Sequence, residues 1–364
     1  MSTIMGRPGP SREAEARAAP RAPVRLAVVG CGAVAEKVYL PVLDRLEGGR
    51  VAVLVDRDED RAERLAAEFG VPRASGEYRG LGDEVDGAVV ALPHHLHAPA
   101  ATELLEAGVH VLVEKPMALT VEGCDRMIEA ARAGDRVLAV GHVRRLYDAS
   151  RFVREALRSG ALGRPVEFDY REGSVYDWDV ASDFMFRREA GGGVLADTGS
   201  HALDLLLWWF GDVREVAYRD DAMGGVEAEC ELELVFASGV RGTVELSRRR
   251  DLRNTCRIRT EEAELELGVG FDPQVRLRPR DLDASLRGRV GSDGGGRTSM
   301  RRVFEEQLEG FLEAIATGGT PPVPGEEGRE VVALLEECRR IREPLELPWL
   351  QPEVSRPETS GAPR

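Results

Sequence analysis

Two polar side chains, four residues apart, are the clearest candidates for chemistry in the second half of the chain. Asp197 and His201 follow three consecutive glycines, and the pattern predicts a helix from about Leu195. This helix would carry along one stripe Asp197, His201, Asp204 and Trp208. A carboxylate one turn from an imidazole can orient the ring and favour its charged form, as in general acid–base catalysis. Acidic residues near a helix start also suit the helix dipole, so the stripe alone leaves both interpretations open.

Lysine is almost absent from the sequence, which makes its rare occurrences informative. Of the 49 Lys and Arg residues only Lys37 and Lys115 are lysines, and an amine can release a proton whereas a guanidinium cannot. Lys37 is predicted on the exposed side of a helix. Lys115 follows a buried strand, and Pro116 after it restricts its backbone to an extended form that holds the ammonium at the strand end. Lys115 is therefore a second candidate for chemistry, with a solvated surface lysine as the alternative.

A glycine-rich turn near the beginning predicts a dinucleotide site. An apolar strand at 24–29 leads into Gly30-Cys31-Gly32-Ala33-Val34-Ala35 and then a helix. Such glycines permit a tight turn and close approach of a pyrophosphate, and the helix start offers N–H groups to it. Asp56 at the next strand end favours NAD, although Arg57 beside it makes NADP possible. A structural turn without a ligand is the alternative. The expected cofactor contacts here are Gly30, Gly32, Ala33, Val34, Asp56 and Arg57.

Three histidines, His94, His95 and His97, follow the strand predicted at 88–92. No carboxylate or cysteine nearby completes a ligand set, so we expect no metal site. The carboxyl edge of a parallel sheet is, however, where such sheets bind ligands. We therefore expect further cofactor contacts at this edge from Leu92, Pro93, His94, His97, Glu114 and Lys115.

These candidate residues lie within two differently patterned regions. Fully apolar strands alternate with helices over residues 24–147, which predicts a parallel, doubly wound Rossmann sheet. Residues 148–350 contain strands with one apolar and one polar face, for example 229–236, which predicts an antiparallel sheet domain with one buried face. Residues 281–300 are predicted to form a loop, and 1–23 and 351–364 to be disordered tails.

Composition excludes several classes of partner. The net charge of -15 disfavours nucleic acids and anionic membranes, and no apolar run approaches the roughly 18 residues of a membrane span. The five cysteines are scattered and lack a CxxC pair, so the expected compartment is the reducing cytoplasm. The polar face of the second sheet could simply be solvated, or it could carry a contact between subunits. We expect the protein to be a homo-oligomer, either a dimer or a tetramer.

Four motifs in order resemble the Gfo/Idh/MocA oxidoreductase family over roughly residues 24 to 345. They are the strand followed by Gly30-x-Gly32-x-x-Ala35, Pro93-His94-His95-Leu96-His97, Glu114-Lys115-Pro116, and Gly192-Gly193 followed by Asp197-x-x-x-His201-x-x-Asp204. The resemblance implies a Rossmann domain with an open, mainly antiparallel sheet domain that has helices on one face, using NAD or NADP on sugars, inositols and related alcohols. It also implies Lys115, Asp197 and His201 as the catalytic set.

The resemblance further suggests how a substrate is bound. We expect substrate contacts from Lys115, Arg145, Tyr170, Asp197 and His201, with Tyr147, Arg171, Tyr176 and Trp178 as further candidates. The family often has Asn where this chain has His94, and Arg-Phe where it has Arg145-Leu146, so the substrate identity stays open.

The predicted reaction is hydride transfer at a secondary alcohol carbon of a small carbohydrate or polyol. His201 would exchange the hydroxyl proton, Asp197 would orient His201, and Lys115 would hydrogen-bond the reacting oxygen. Two alternatives use the same fold: redox-assisted glycoside cleavage, in which the hydride returns to the product, and a sugar sensor that binds the cofactor without catalysis.

Overall fold

The computed structural model describes residues 22–175, 177, 182–270, 274–291 and 299–346, and these form two sheets with helices packed on them. The predicted tails at 1–23 and 351–364 lie almost wholly outside the described residues, as do Tyr176 and Trp178. Within the described part, no helix has the length and apolar character needed to cross a bilayer.

The first sheet has six parallel strands in the order β3-β2-β1-β4-β5-β6, which is the Rossmann order. Its strands are β1 (Val24–Val29), β2 (Gly49–Val55), β3 (Ala74–Ser75), β4 (Gly87–Val90), β5 (His110–Val113) and β6 (Leu138–Val140). The helices between them are a π-helical turn (Ala35–Tyr39) continued by α1 (Leu40–Leu43), then α2 (Glu59–Phe69), α3 (His97–Glu106) and α4 (Val121–Gly134). The predicted fold of this half is confirmed.

Strand β1 shows why this sheet forms. Its side chains alternate between two apolar clusters, Ala27 and Val29 on one face and Leu26 and Val28 on the other, and all four are at most 1% exposed. Both faces are therefore covered, as a run of apolar residues without alternation requires. Because the strands run parallel, the carboxyl ends of β1, β2, β4 and β5 meet at one edge of the sheet.

The second sheet has nine strands in the order β14-β13-β12-β11-β7-β10-β9-β8-β15. Its strands are β7 (Pro165–Gly173), β8 (Val213–Asp220), β9 (Glu229–Phe236), β10 (Arg241–Ser247), β11 (Thr255–Thr260), β12 (Ala263–Gly268), β13 (Gln274–Pro279), β14 (Leu286–Arg289) and β15 (Glu343–Pro344). Most described pairings are antiparallel, with β7–β10 and β8–β15 parallel, so the predicted open, mainly antiparallel sheet is confirmed.

Helices cover one face of this sheet. They include α5 (Asp148–Arg158) and α6 (Ser200–Phe210), whose apolar residues join those of β9 and β10 in one cluster. The opposite face carries ion pairs between neighbouring strands, such as Arg257 with Glu266 and Arg259 with Glu167. Because exposed pairs of this kind stabilise a fold only slightly, they neither favour nor oppose a subunit contact, and homo-oligomerisation stays a prediction.

Part of the predicted loop at 281–300 is wrong, because β14 occupies Leu286–Arg289 and pairs with β13. All four of its residues are exposed, so the strand lacks the alternation of buried and exposed positions by which the other strands are recognised. Residues 292–298 of that prediction lie outside the described residues.

The last two helices connect the halves. Helix α7 (Met300–Thr317) places Val303, Phe311 and Leu312 in the same cluster as Leu26 and Val28 of β1. Helix α8 (Gly325–Ile341) contributes Val332 to the other face of the first sheet and Val331 to the core of the second. The boundary between two domains at residues 147 and 148 therefore stays a prediction, since helices from beyond this boundary also pack on the first sheet.

Candidate active site

One cavity of about 990 Å³ is lined by both halves of the chain. From the carboxyl edge of the first sheet come Gly30, Asp56, Leu92 and Lys115, and from the second half come Phe184, Asp197 and His201. The sequence-predicted groups for cofactor binding and for chemistry thus lie on the walls of a single space. Gly32, Ala33, Val34, Arg57, Pro93, His94, His97 and Glu114 also line it.

Gly30 shapes the end of the cavity next to β1. Its φ of 99° lies in the left-handed region, and a Cβ there would stand 2.4 Å from the carbonyl oxygen of Ala91. Only glycine fits this approach of two backbone segments. The turn then enters the helix containing Ala33 and Val34, whose first N–H groups have no partner within the helix and suit a phosphate.

Asp56 holds this turn in place. Its Oδ2 accepts a hydrogen bond of 2.8 Å from the N–H of Cys31, and its Oδ1 accepts one of 2.9 Å from the N–H of Asp58. Each carboxylate oxygen has a second lone pair that can accept from a ribose hydroxyl. Arg57 lines the same end, so acidic and basic side chains are both present and the preference for NAD over NADP stays a prediction.

The histidines after β4 support the structure of the cavity wall. His94 Nδ1 lies 2.8 Å from the carbonyl oxygen of Gly191 in the second half, and the buried His97 ring lies between the carbonyl oxygens of Leu92 (2.7 Å) and Pro116 (2.9 Å). Burial lowers the pKa of His94 to about 3 and that of His97 to about 4, although the two carbonyl oxygens beside His97 act to raise its pKa. Among the described residues no three His, Cys, Asp or Glu side chains are grouped to hold a metal ion.

Glu114 supports the backbone of Lys115. Its Oε2 accepts from the Lys115 N–H at 3.1 Å and its Oε1 from the Tyr39 hydroxyl at 2.7 Å. Burial raises the pKa of Glu114. In the Glu-Lys-Pro motif, Glu114 is therefore fixed by its hydrogen bonds, and Lys115 beside it lines the cavity.

The Lys115 ammonium reaches the second half of the chain. Its Nζ donates to Asp197 Oδ1 at 2.7 Å, and Arg248 donates to Asp197 Oδ2 at 2.6 Å. Burial alone would raise the pKa of Asp197, but the charges of Lys115 and Arg248 outweigh it and hold that pKa well below its usual range. Asp197 is therefore an anion bound between two cations.

A close-packed loop positions Asp197. A Cβ at Gly193 would lie 2.1 Å from Glu227 Oε1, and one at Gly192 would lie 2.3 Å from the Met185 carbonyl oxygen. Glu227 Oε1 in turn accepts from the Leu195 N–H at 2.9 Å, at the start of the π-helical turn Leu195–Gly199 that precedes α6. The glycines thus let the chain pass close to its own backbone and to Glu227 before this turn begins.

The predicted hydrogen bond between Asp197 and His201 is wrong. Both Asp197 oxygens are bound elsewhere, and His201 Nδ1 is buried without a partner among the described residues. Burial, with the nearby cations Arg144 and Lys115, holds the pKa of His201 well below 6.5. His201 therefore faces the cavity as a neutral imidazole.

Arg145, predicted to contact substrate, lies elsewhere. Its Nε and NH2 donate to Asp204 at 3.0 and 2.6 Å, it also pairs with Glu327, and its guanidinium lies 5.6 Å from the Trp208 ring. Asp204 and Trp208 of the predicted stripe thus bind Arg145 while Asp197 and His201 face the cavity. Arg144 lines the cavity in its place, because the 3-10 turn at Val143–Leu146 directs successive side chains to different sides.

Tyr170 was also predicted to contact substrate, but it is 0% exposed. Its hydroxyl donates to Glu172 at 2.8 Å and accepts from Arg144 at 3.0 Å, while Arg144 and Glu172 form two bonds of 2.7 Å. Tyr170 therefore supports Arg144 from within the sheet. Of the further candidates, Tyr147 lines the cavity and Arg171 pairs with Asp169 outside it.

Sequence reasoning missed three residues around the centre. Arg144 was hidden by its neighbour Arg145, and Arg248 lies 51 positions from Asp197 with no motif to mark it. His142 is 1% exposed, its Nδ1 is 4.0 Å from Asp204 Oδ1, and its ring centre lies 6.3 Å from that of His201. Its position directly after an apolar strand was the only available signal.

Comparisons with known proteins agree with this architecture. The family model described as the oxidoreductase family with an NAD-binding Rossmann fold matches residues 24–142, and the GFO/IDH/MocA C-terminal domain matches 150–266. The chain is 33% identical to inositol 2-dehydrogenase 2 of Saccharopolyspora erythraea, over 86% of this chain and 92% of that protein. It is 30% identical to 1,5-anhydro-D-fructose reductase of Ensifer adhaerens, over 84% of this chain and 92% of that protein. The solved structure of aldose-aldose oxidoreductase from Caulobacter crescentus, complexed with glycerol, superposes with a TM-score of 0.78 at 25% identity and covers 88% of this chain and 97% of its own.

The Gly30 turn allows a direct test of the cofactor site. We expect Gly30→Ala to weaken NADH binding by about tenfold or more, roughly 1.4 kcal/mol, because the new Cβ displaces the Ala91 backbone. Gly48→Ala is the matched control, since Gly48 also has positive φ (90°) but nothing within 4 Å of the added Cβ. Fluorescence titration measures the affinity of each variant for NADH. Equal affinities for the two variants would contradict this placement of the cofactor.

Proposed function

The chain belongs to the Gfo/Idh/MocA oxidoreductase family, and from this we propose that it transfers a hydride between NAD(P) and a secondary alcohol carbon of a sugar, inositol or related polyol. It is an NAD(P)-dependent dehydrogenase or reductase. The observation that most directly supports the proposal is that Lys115, Asp197 and His201 line the same cavity as the glycine turn. When bound, NAD(P) supplies the hydride acceptor or donor. The side chains bind the substrate and exchange its proton.

Lys115 is proposed to bind the reacting oxygen. A lysine ammonium has three N–H donors, of which Asp197 takes one at its Oδ1 (2.7 Å) and a second, weaker one at its carbonyl oxygen (3.3 Å). The third is left for a substrate oxygen in the cavity. A cation at that point stabilises the negative charge that develops on the oxygen as its proton leaves.

His201 is proposed to exchange the hydroxyl proton. As a neutral imidazole it accepts the proton when the alcohol is oxidised and returns it when the ketone is reduced. Asp197 does not orient His201 in this scheme, since its oxygens are bound to Lys115 and Arg248. Its proposed role is to hold Lys115 and to contact a neighbouring substrate hydroxyl.

The substrate class follows from the relatives and from the polar lining. Inositol 2-dehydrogenase and 1,5-anhydro-D-fructose reductase both act on small polyhydroxylated rings, as their names state. Asp197, Thr198, His201 and Arg144 supply both donors and acceptors around one end of the cavity. A compound with several adjacent hydroxyls can use the donor and acceptor positions that this set still offers, whereas an apolar alcohol cannot.

A substrate screen tests the proposed activity. We expect the absorbance of reduced nicotinamide to rise when the protein is given an inositol, an aldose or a uronic acid together with NAD⁺ or NADP⁺. A panel of apolar secondary alcohols is the control and should give no signal. Cleavage of a glycoside without net formation of NADH would instead indicate the redox-assisted reaction and would overturn simple dehydrogenation.

Substitution of the two proton-handling residues tests their roles. We expect Lys115→Ala and His201→Ala each to lower kcat by about 10² to 10⁴, the usual loss for a positioned acid–base group, while NADH binding stays normal. Lys37→Ala, at the other lysine of the chain, is the matched control and should keep full activity. Near-normal turnover in both active-site variants with intact NADH binding would show that the roles are wrongly assigned.

The neutral state of His201 sets an expected pH dependence. Its pKa in the folded protein is held well below 6.5, so the ring stays able to accept a proton as the pH falls through that value. We expect kcat/KM for alcohol oxidation to show no loss attributable to His201 between about pH 8 and about pH 6.5. Steady-state rates with wild type and His201→Ala measure this. An inflection near the ordinary histidine pKa that vanishes in His201→Ala would contradict the expectation.

A further inference from the structure

Asp197 has a second cationic partner, Arg248, which lies at the end of a strand of the second sheet. Arg248 directly follows β10, and its NH2 donates to Asp197 Oδ2 at 2.6 Å. Its side chain is 8% exposed, and its backbone N–H donates to the Ala228 carbonyl oxygen at 2.8 Å. The guanidinium therefore extends from the end of a strand of the second sheet and binds the carboxylate oxygen that Lys115 does not bind.

The charges at this centre require such a partner. A carboxylate taken out of water favours its protonated form, and a protonated Asp197 would be a weaker acceptor for Lys115. Lys115 and Arg248 each bind one oxygen, so both oxygens of the anion are engaged and its orientation is set from two sides. His94 and Glu114 also interact electrostatically with Asp197, but neither is bonded to it in the described structure.

We propose that Arg248 is a positioning residue of the hydride-transfer site, holding the Asp197 carboxylate in the orientation that presents Lys115 to the substrate oxygen. The inference rests on the proposed function in that it takes Lys115 as the group that binds this oxygen. Arg248 is not among the described residues that line the cavity, so its effect on the reaction passes through Asp197.

A lysine at position 248 would fill this role only in part. A guanidinium is a planar, permanently charged donor fork, and it pairs with a carboxylate in a defined orientation. An ammonium restores the charge without the fork. Arg248→Lys should therefore recover part of what Arg248→Gln loses.

The first experiment observes the site without turnover. Because the chain has two lysines, protein labelled with ¹³C at the lysine ε-carbon gives one signal for Lys115 and one for Lys37 as internal reference. When the pH is lowered, the Lys115 signal of wild type should stay in place down to the usual carboxyl range, because the pKa of Asp197 is held well below that range. Loss of Arg248 raises the pKa of Asp197 towards its usual range, since an opposite charge in contact lowers a carboxyl pKa by about one to three units. In Arg248→Gln the Lys115 signal should thus shift about one unit or more higher in pH than in wild type.

The second experiment tests the route through Asp197. We expect Arg248→Gln to lower kcat by about 10², the loss associated with a misplaced reacting group, and to move the acid limb of the kcat profile to higher pH. The double variant Asp197→Asn/Arg248→Gln should be no slower than Asp197→Asn, because the two residues act as one unit. Arg249→Gln is the matched control: Arg249 is the next residue, is 51% exposed and pairs with Asp221, and its loss should leave both readouts unchanged.

The outcomes separate this inference from the proposed function. Losses that multiply in the double variant, or a Lys115 signal that titrates alike in wild type and Arg248→Gln, would overturn the role of Arg248. Absence of any polyol oxidation would overturn the proposed function, and the lysine titration would still decide whether Arg248 controls Asp197. A far-UV circular dichroism spectrum like that of wild type shows that each variant is folded.

Discussion

The ion pair between Lys115 and Asp197 is the contact on which the site depends. Lys115 comes from the carboxyl edge of the first sheet and Asp197 from a turn that precedes α6, so the 2.7 Å bond exists only when both halves are correctly placed. The side chains are 14% and 25% exposed, and such partly buried charges lose hydration that their mutual attraction must offset. A second cation, Arg248, shares the carboxylate and makes the arrangement favourable.

Other contacts keep the two halves from sliding past each other. Arg145 of the first half binds Asp204 of the second. His94 of the first half lies within hydrogen-bond distance of the Gly191 carbonyl oxygen of the second. Removal of Arg145 would leave the charge of the buried Asp204 uncompensated. Several of the polar residues near the reaction centre therefore serve to align the halves, while Lys115 and His201 face the space where the chemistry takes place.

Local patterns in the sequence were sufficient for the fold and for part of the site. The apolar strands, the Gly30 turn and the alternation of β9 each depend on neighbours in sequence, and the structure has all three. The roles of Arg145 and Tyr170 and the bond between Asp197 and His201 could not be derived in this way. They depend on the direction of a 3-10 turn and on contacts between parts of the chain that are distant in sequence, as the bond from Arg248 to Asp197 illustrates.

The return of α7 to the first sheet affects how the molecule is made. The apolar cover of Leu26 and Val28 includes Phe311 and Leu312, which leave the ribosome long after β1 to β6 have emerged. Domains usually fold in order of synthesis, but here one face of the early sheet, although partly covered by early residues such as Val38, Leu40 and Leu65, lacks the rest of its cover until the chain is almost finished. Part of the apolar surface of the half that is translated first is thus exposed on the nascent chain until α7 has been made.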